Sequence, residues 1–380
     1  MDKKNKIIIT YATAGIGHKK ASLAIKAALE KKNMGVDIKI IDVLDYTKPF
    51  FKRSYPYVYL LLINRLSFLW GFFYYSLDVK LVNFLCAPFR RLMHVMNSPN
   101  LIKYLLENKP AVVVSTHFIM PDICAYVAKK YKLKTTLIQV VTDYRAHAFW
   151  ISDAVSTYIV AHENTKRDLV RKWGIKTEKI KIMGIPVEPK FSVKHDKGFF
   201  RKKFNISSDS FVVSLIGGGY GVGPFLKILE ALDRTTVPLS VITVCGHNKK
   251  RYDQVAAFKK RDSMHIINYT YVNNVDEIMA VSDVYIGKAG GISTTEALAM
   301  DLPMIFISPI PGQESRNAKL ITRNGAGIRV KKVSEITRVV ESLKTSDIRM
   351  NLLKKGIKNV RRINAACDIA DFVIECAKNT

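Results

Sequence analysis

The feature that most constrains this 380-residue chain is an alternation of short apolar runs and helical patterns that occurs twice. In the first half, β-rich runs lie at residues 6–10, 36–44, 111–116, 135–143, 157–162 and 179–187. In the second half they lie at residues 211–219, 238–246, 264–270, 283–291, 303–310 and 327–330. Strands that alternate with helices form βαβ units around a parallel sheet. The sequence therefore predicts an α/β protein with two doubly wound, Rossmann-like domains that face a cleft.

The two alternations are separated by a basic stretch at about residues 184–203 that contains Pro186 and Pro189. We interpret this stretch as an interdomain linker. The N-terminal domain is predicted at residues 1–190 and the C-terminal domain at residues 200–357. The segment from about 358 to 380 ends in a helical pattern without a following strand, and it is a candidate to pack back on the N-terminal domain. Ligands of doubly wound sheets bind at the carboxyl ends of the strands.

The charge balance indicates an anionic partner, because 60 Lys and Arg residues against 32 Asp and Glu residues give a net charge of +28. Nucleic acid and an anionic membrane surface both fit this charge. A solvated basic surface without a partner is the simplest alternative. No RRM, KH, zinc-finger or helix-turn-helix pattern is present, so nucleic acid is not expected.

Aromatic residues favour the membrane, because 14 of the 38 lie at residues 46–89 among Lys and Arg side chains. The apolar run at residues 60–77 is almost long enough to span a bilayer, but Asn64 and Arg65 interrupt it. Aromatic residues flanked by cations are typical of a segment that lies at the membrane interface. A pair of core helices is the alternative interpretation.

The cysteines and the N-terminus indicate a cytoplasmic protein. Five dispersed cysteines form no C-x-x-C pair or zinc pattern, which is typical of reduced thiols. The apolar run at residues 7–9 is too short for a secretory signal. We expect no metal and no cofactor.

The first glycine motif, Ala14-Gly-Ile-Gly-His18, follows the first predicted strand and opens a helix. Gly15 and Gly17 allow a ligand to approach the backbone, and a helix N-terminus favours negative charge. His18 has a side chain that titrates near neutral pH, so it is a candidate general base for an alcohol. A capping or surface histidine is the alternative interpretation.

The second motif, at residues 217–223, has five glycines in seven residues and also opens a helix. Such a loop can form a nest of backbone N–H groups for a diphosphate. A structural turn would need one or two glycines, so the sequence favours anion binding here.

The third motif runs from Gly287 to Asn317 and includes a Gly290-Gly291 turn before a predicted helix. Ser293 or Thr294 can cap this helix, and Glu296 in its first turn can accept both hydroxyls of a ribose. Gln313 and Glu314 open the next helix and offer partners to sugar hydroxyls. A helix with ordinary capping residues is the alternative.

Together these motifs resemble the glycosyltransferase family of monogalactosyldiacylglycerol synthases and bacterial processive diacylglycerol glucosyltransferases. A more distant resemblance is to the N-acetylglucosaminyltransferase that forms lipid II. The resemblance covers nearly the whole chain and is carried by residues 15–22 (GIGHKKAS), 141–150 (VTDYRAHAFW), 184–187 (GIPV), 217–223 (GGGYGVG) and 287–317.

The resemblance implies a GT-B fold with an acceptor-binding N-terminal domain and a UDP-sugar-binding C-terminal domain. By position, His18 matches the general base, and Gly15, Gly17, Asp143, His147 and Trp150 lie on the acceptor side. The donor-side residues are Gly218, Gly219, Gly290, Gly291 and Ser293 near the diphosphate, Tyr271 and Val272 for uracil, Glu296 for ribose, and Gln313 and Glu314 for the sugar. The family inverts the anomeric carbon without a metal bound by D-x-D, and this sequence contains no D-x-D.

The predicted function is therefore an inverting hexosyltransferase that moves sugar from a UDP-sugar to 1,2-diacylglycerol. We expect it on the anionic inner face of the cell membrane as a peripheral protein. One alternative keeps the fold but uses a polyprenyl-diphosphate sugar, with UDP-N-acetylglucosamine as donor, or another lipid acceptor. The other alternative is a noncatalytic nucleotide-binding or nucleic-acid-binding protein.

Overall fold

The computed structural model of the chain describes residues 6–13, 15–32 and 35–379, without the side chain of Asn64. Ala14 of the first glycine motif and residues 1–5 of the predicted N-terminal domain lie outside the described residues. The chain divides into two compact units. The first unit consists of Met1–Pro189, Pro311–Gln313 and Arg362–Thr380, and the second unit consists of Lys190–Ile310 and Glu314–Arg361.

The first unit contains thirteen of the chain's regular elements before the chain enters the second unit. They are β1 (Lys6–Tyr11), α1 (Ile16–Lys31), β2 (Asp37–Asp42), α2 (Pro49–Arg65), α3 (Ser67–Leu77), α4 (Lys80–Asn97), α5 (Pro99–Asn108), β3 (Val112–Ser115), α6 (Ile119–Tyr131), β4 (Thr136–Val140), β5 (Thr157–Val160), α7 (Glu163–Trp173) and β6 (Ile180–Ile182). The strands form one parallel sheet in the order β2-β1-β3-β4-β5-β6.

The second unit repeats this architecture. Its elements are α8 (Lys197–Lys203), β7 (Phe211–Ile216), α9 (Phe225–Asp233), β8 (Leu239–Val244), α10 (Lys249–Ala256), β9 (Met264–Tyr269), α11 (Val275–Val281), β10 (Val284–Gly287), α12 (Gly291–Ala299), β11 (Met304–Phe306), α13 (Gln313–Arg323), β12 (Ile328–Arg329), α14 (Glu335–Thr345) and α15 (Asp347–Val360). Its parallel sheet has the order β12-β11-β10-β7-β8-β9. These two sheets confirm the predicted doubly wound α/β class.

The last helix, α16 (Ala365–Lys378), belongs to the first unit. Alternate side chains of β1 point to opposite faces of the sheet, so Ile7 and Ile9 share one apolar core and Ile8 lies in another. Helix α16 adds an apolar stripe with helical spacing to the core of Ile7 and Ile9, where it packs on α1. The stripe consists of Ala366, Ile369, Ala370, Val373, Ile374 and Ala377.

Several strands are shorter than the sequence predicts, and the second strand shows why. The prediction extends to residue 44, but β2 ends at Asp42 and a 3-10 helix follows at Val43–Tyr46. The Asp42 carboxylate accepts a hydrogen bond from the Leu44 amide at 3.0 Å. This local hydrogen bond competes with the strand ladder and turns the backbone. Apolar character alone could not reveal it.

Helices α2, α3 and α4 stand between β2 and β3, where a single crossover helix would suffice for the sheet. The predicted run at residues 60–77 breaks at Leu66, so α2 and α3 meet at 107°. Within the described residues no single helix is long and apolar enough to cross a bilayer, and α2 with α3 passes that test only as this bent pair.

Candidate active site

The first unit encloses a cavity of about 500 Å³ whose wall contains most of the predicted acceptor-side residues. Gly15, His18, Asp143, His147 and Trp150 all line it. Gly17, in the first turn of α1, is not part of the lining. The rest of the wall is mostly apolar. Its Phe, Tyr and Trp side chains come from three regions of the sequence: Tyr55, Tyr59, Trp70, Tyr74, Phe89, Phe118 and Phe149. A ligand with a large apolar part fits such a wall.

His18 has a defined tautomer, because its Nδ1 lies 2.6 Å from the carbonyl oxygen of Thr116. A carbonyl oxygen only accepts, so Nδ1 carries the proton and donates it. The hydroxyl of Thr142 lies 3.2 Å from the same nitrogen. Nε2 is therefore the ring nitrogen with a lone pair that can accept a proton. Burial lowers the pKa of His18 to about 4, while the hydrogen bond to Thr116 opposes the shift. The ring is therefore neutral at pH 7 and can act as a base.

His18 reaches the cavity because it lies in the first turn of α1, directly beyond the carboxyl end of β1. The neighbouring strand β3 supplies Thr116, which follows its last residue. Trp150 packs 6.1 Å from the His18 ring, and His117 packs edge-on at 4.9 Å, both measured between ring centroids. These aromatic neighbours keep water from most of the ring, and they account for the burial that lowers its pKa.

Both ring nitrogens of His147 form hydrogen bonds with the backbone. Its Nε2 donates to the carbonyl oxygen of Tyr74 at 2.7 Å, and its Nδ1 accepts from the Phe149 amide at 3.1 Å. The side chain is buried, and its ring packs against the Tyr74 ring at 4.1 Å between centroids, tilted by 36°. Buried Asp78 accepts from the Ala148 amide at 2.8 Å and pairs with Lys172. The position of His147 therefore fixes the loop that carries Asp143 and Trp150.

The sequence analysis did not identify a second polar group on the cavity wall, formed by α4 and α6. His94 Nδ1 lies 2.7 Å from a carboxylate oxygen of buried Asp122, and Arg90 Nε donates to the same oxygen at 3.4 Å. Arg90 and His94 line the cavity. Burial lowers the pKa of His117 well below its usual value, and the neighbouring His18 and His94 add to the shift. These residues stand in no short motif, so no sequence spacing could reveal them.

In the second unit, the predicted donor-side residues follow the carboxyl ends of adjacent strands. The last residues of four neighbouring strands are in register with one another. Gly287 of β10 pairs with Ile216 of β7, Ile216 pairs with Val244 of β8, and Val244 pairs with Tyr269 of β9. The residues that come next therefore lie along one edge of the sheet. They are the glycine loop after β7, His247 after β8, Tyr271 and Val272 after β9, and Gly290 and Gly291 after β10.

The loop at residues 217–223 presents free backbone donors. Gly218 and Gly221 have positive φ angles of 67° and 58°, which favour glycine. The turn closes through the Val222 amide, which donates to Gly217 O at 2.9 Å. Within the described part of the chain, no hydrogen bond uses the amides of Gly218 and Gly219. The loop can therefore offer them to an anion, as the composition predicts.

Helix α12 begins beside this loop with its N-terminal donors uncapped by a side chain. Its N-cap is Gly290, and Ser293 donates back to Gly290 O at 3.3 Å instead of capping the helix. Thr294 is buried and does not cap either. The prediction that Glu296 lies in the first turn is wrong, because the helix already begins at Gly291 and Glu296 is therefore in the second turn, where it is buried. An uncapped helix N-terminus attracts anions.

A cavity of about 440 Å³ lies at the ends of β8 and β9, and Tyr271 lines it. The ring of His247, which the sequence analysis did not single out, stacks on Tyr271 at 4.5 Å between centroids with an angle of 9°. The outer face of this stack offers a flat surface on which a planar base can stack.

The two predicted sugar-binding residues fall in different units. Gln313 belongs to the first unit, where its side chain lines the 500 Å³ cavity, donates to Tyr59 Oη at 3.0 Å and accepts from Trp70 Nε1 at 3.3 Å. Glu314 belongs to the second unit and accepts from the Ile310 amide at 2.8 Å. Among the described residues, no group of three or more His, Cys, Asp or Glu side chains is arranged to hold a metal ion.

The two doubly wound sheets have the architecture of the GT-B fold class, and comparisons with known proteins agree. The family described as Monogalactosyldiacylglycerol (MGDG) synthase matches residues 18–187, and the Glycosyltransferase family 28 C-terminal domain matches residues 222–370. The chain therefore carries the two domain types of the diacylglycerol glycosyltransferases that the sequence motifs indicate. Its enzymatic class is that of a UDP-sugar-dependent hexosyltransferase.

Relatives match over nearly the full length. A processive diacylglycerol beta-glucosyltransferase of Bacillus cereus (strain ATCC 14579) is 28% identical over 98% of this chain and 94% of its own length. The protein of the same name from Bacillus thuringiensis (strain Al Hakam) is 28% identical over 99% of this chain and 95% of its own.

Solved structures share the fold at lower identity. MurG of Acinetobacter baumannii has a TM-score of 0.61 at 14% identity, covering 98% of this chain and 99% of its own. MnaA of Staphylococcus aureus in complex with UDP has a TM-score of 0.66 at 13% identity, covering 99% and 97%.

Proposed function

We propose that this protein transfers a hexose from a UDP-sugar to 1,2-diacylglycerol, with His18 as the general base. The observation that carries the proposal is the position of His18 on the wall of an apolar cavity, neutral and with Nδ1 already donating to Thr116. The hydroxyl of diacylglycerol gives its proton to Nε2 while its oxygen attacks the anomeric carbon. The bond from that carbon to the β-phosphate oxygen breaks, and UDP leaves with the electron pair. A direct displacement of this kind inverts the anomeric carbon.

The donor is proposed to bind along the strand ends of the second unit. The flat surface of His247 and Tyr271 suits uracil, and backbone at Val272 is available to read its edge. Glu296 is proposed to bind the ribose, and the free amides of the glycine loop and of α12 the diphosphate. These donors are already in place before charge develops on the leaving group, which is the condition for electrostatic catalysis. We propose that the transfer needs no metal ion. Gln313 and Glu314 remain the proposed partners of the sugar.

We propose further that α2, α3 and α4 dock this protein on the membrane. Helix α4 turns an apolar stripe outward, opposite to the usual arrangement in a soluble protein. The stripe consists of Leu81, Phe84, Leu85, Phe89, Leu92 and Met96, and all six are exposed. Phe84 is 74% exposed and Phe68 of α3 is 86% exposed. Phe89 also lines the cavity, so a lipid can pass from the stripe to the wall.

The net charge of +28 supports an anionic membrane, and all five cysteines are free, which fits the cytoplasmic face. Charge and apolar contact act together in such binding. The polyprenyl-diphosphate acceptor has less support, because the cavity wall is mostly apolar and the Arg90 guanidinium is already beside Asp122.

The test is product formation on vesicles of diacylglycerol and phosphatidylglycerol, with labelled UDP-glucose, UDP-galactose or UDP-N-acetylglucosamine in separate reactions. Label in the lipid phase with one of these donors, dependent on diacylglycerol, is the expected result. Vesicles with a polyprenyl-diphosphate sugar in place of diacylglycerol are the control. Label that appears only with the control acceptor would overturn the diacylglycerol assignment.

A further inference from the structure

Lys288 is a cation at the strand-end edge of the second unit to which the proposed function gives no role. It follows Gly287, the last residue of β10, and precedes the Gly290 N-cap of α12 by two residues. Because Gly287 pairs with Ile216, Lys288 lies beside Gly217, the first residue of the glycine loop. Lys288 therefore stands between the two groups of free backbone amides.

The edge also fixes how far Lys288 lies from the proposed uracil surface. The strand order places β7 and β8 between β10 and β9. Strands β10 and β9 are therefore three strand spacings of about 4.8 Å apart, or about 14 Å. The nucleoside end and the Lys288 end of the edge are therefore separate places, and a phosphate group bound at one does not contact the other.

The ammonium group of Lys288 has no protein partner to neutralise it. The side chain is half-buried, yet within residues 6–13, 15–32 and 35–379 it makes no hydrogen bond and no ion pair within 4 Å. Burial lowers the pKa of Lys288, and the charge of Glu314 partly opposes this shift. The Glu314 carboxylate is itself held by the Ile310 amide at 2.8 Å. A buried cation without a close partner is costly, and a bound anion would remove that cost.

Helix α13 holds this corner of the site in place. Buried Asn317 donates from Nδ2 to the carbonyl oxygen of Ala289 at 3.0 Å, which ties α13 to the residue that follows Lys288. The backbone on both sides of Lys288 is therefore fixed, by the β10 ladder and by Asn317. A cation on such a backbone can stabilise charge without rearrangement during the reaction.

We propose that Lys288 supplies the positive charge that binds the diphosphate of the nucleotide and stabilises UDP as the leaving group. This inference rests on the proposed function. When the anomeric carbon–oxygen bond breaks, the electron pair goes to the β-phosphate oxygen, and Lys288 faces the charge that develops there. The proton of the acceptor goes to His18, so Lys288 neither gains nor loses one.

The experiment compares uridine, UMP and UDP as ligands of the full chain, by calorimetry, in wild type, Lys288→Met and Lys288→Arg. In wild type, affinity should rise with the number of phosphates. In Lys288→Met, UDP affinity should fall about 10- to 100-fold, the range for a charge-assisted hydrogen bond, while uridine affinity changes less than about twofold. Lys288→Arg should recover much of the UDP affinity because it keeps the charge. Exposed Lys259→Met is the matched control.

Three outcomes would overturn the inference. An equal loss of uridine and UDP affinity in Lys288→Met would show a structural role. A UDP affinity that does not change would show that Lys288 does not bind the diphosphate, and the proposed function would stand. Wild type that binds neither nucleotide would remove the proposed function and this inference together. A thermal unfolding curve of Lys288→Met checks that the variant is folded.

Discussion

The two units share one architecture but use it differently. In the second unit, the candidate site consists of loops directly after strands, and much of it is backbone: the amides after β7 and at the start of α12. In the first unit, the cavity is largely built by side chains of α2, α3 and α4, which are additions to the βαβ pattern. The comparison teaches that the proposed nucleotide site follows from the sheet itself, whereas the proposed lipid site depends on the additional helices α2, α3 and α4.

The strongest test of this difference between the units is His18→Ala. It should remove the proposed general base of the first unit and leave UDP binding by the second unit unchanged. Loss of a general base typically costs about 10²- to 10⁴-fold in rate. We expect kcat for glycolipid formation to fall by that factor while UDP affinity stays within twofold. Rates on vesicles and calorimetry with UDP measure the two effects. Exposed His265→Ala is the matched control, and a similar loss of UDP affinity in His18→Ala would contradict this difference between the units.

The membrane docking proposed for α2, α3 and α4 can be tested by placing charged side chains on the exposed apolar stripe of α4. Burial of one Phe side chain contributes roughly 1.5–3 kcal/mol, so Phe84→Asp with Phe89→Asp should weaken vesicle binding about 100-fold or more. Sedimentation with phosphatidylglycerol vesicles measures it. Phe199→Asp, at an exposed position of α8 in the second unit, is the matched control. If Phe199→Asp weakens vesicle binding as much as the α4 double variant does, the docking surface is not confined to α2–α4.

The second unit can be tested at Glu296, which is buried in α12. Glu296→Gln keeps the shape but removes the charge that we propose binds the ribose. A charge-assisted hydrogen bond contributes roughly 1–3 kcal/mol, so UDP should bind about 5- to 100-fold more weakly. Exposed Glu230→Gln should change nothing. As a further check, 2′,3′-dideoxyuridine diphosphate, which lacks both ribose hydroxyls, can be compared with UDP in each protein. If removing the hydroxyls lowers the affinity equally in wild type and in Glu296→Gln, the carboxylate does not bind the ribose hydroxyls.

The smallest expected effect is in the pH profile. Because the pKa of His18 is lowered to about 4, its ring stays neutral and active as a base from pH 7 down to about pH 5. The kcat/KM for glycolipid formation should therefore fall less than about twofold over that range, where an unperturbed histidine would lose most of its activity. A loss of kcat/KM as the pH falls through about 6.5 would show that water reaches His18 in the working enzyme and that its pKa is not lowered.

The same comparison explains what the sequence could predict. The sequence could place the glycine loop, Gly290 and Tyr271 at one edge of the sheet because residues after parallel strands share that edge. It could place His18 after β1 in the same way. Arg90, His94 and Asp122 were not found, because they come from helices whose mutual packing no periodicity records. Lys288 lay inside the third motif, yet only its missing partner in the structure distinguishes it from the other cations of a basic chain.

The return of α16 to the first unit has a consequence for synthesis on the ribosome. The core that contains Ile7 and Ile9 lacks the Ile369 and Val373 side chains until translation has passed the whole of the second unit. During that time the α1 surface that α16 covers is exposed, so the second unit can fold while the first is still incomplete. The first unit, which contains the proposed lipid cavity, therefore lacks part of its core until α16 has been synthesised.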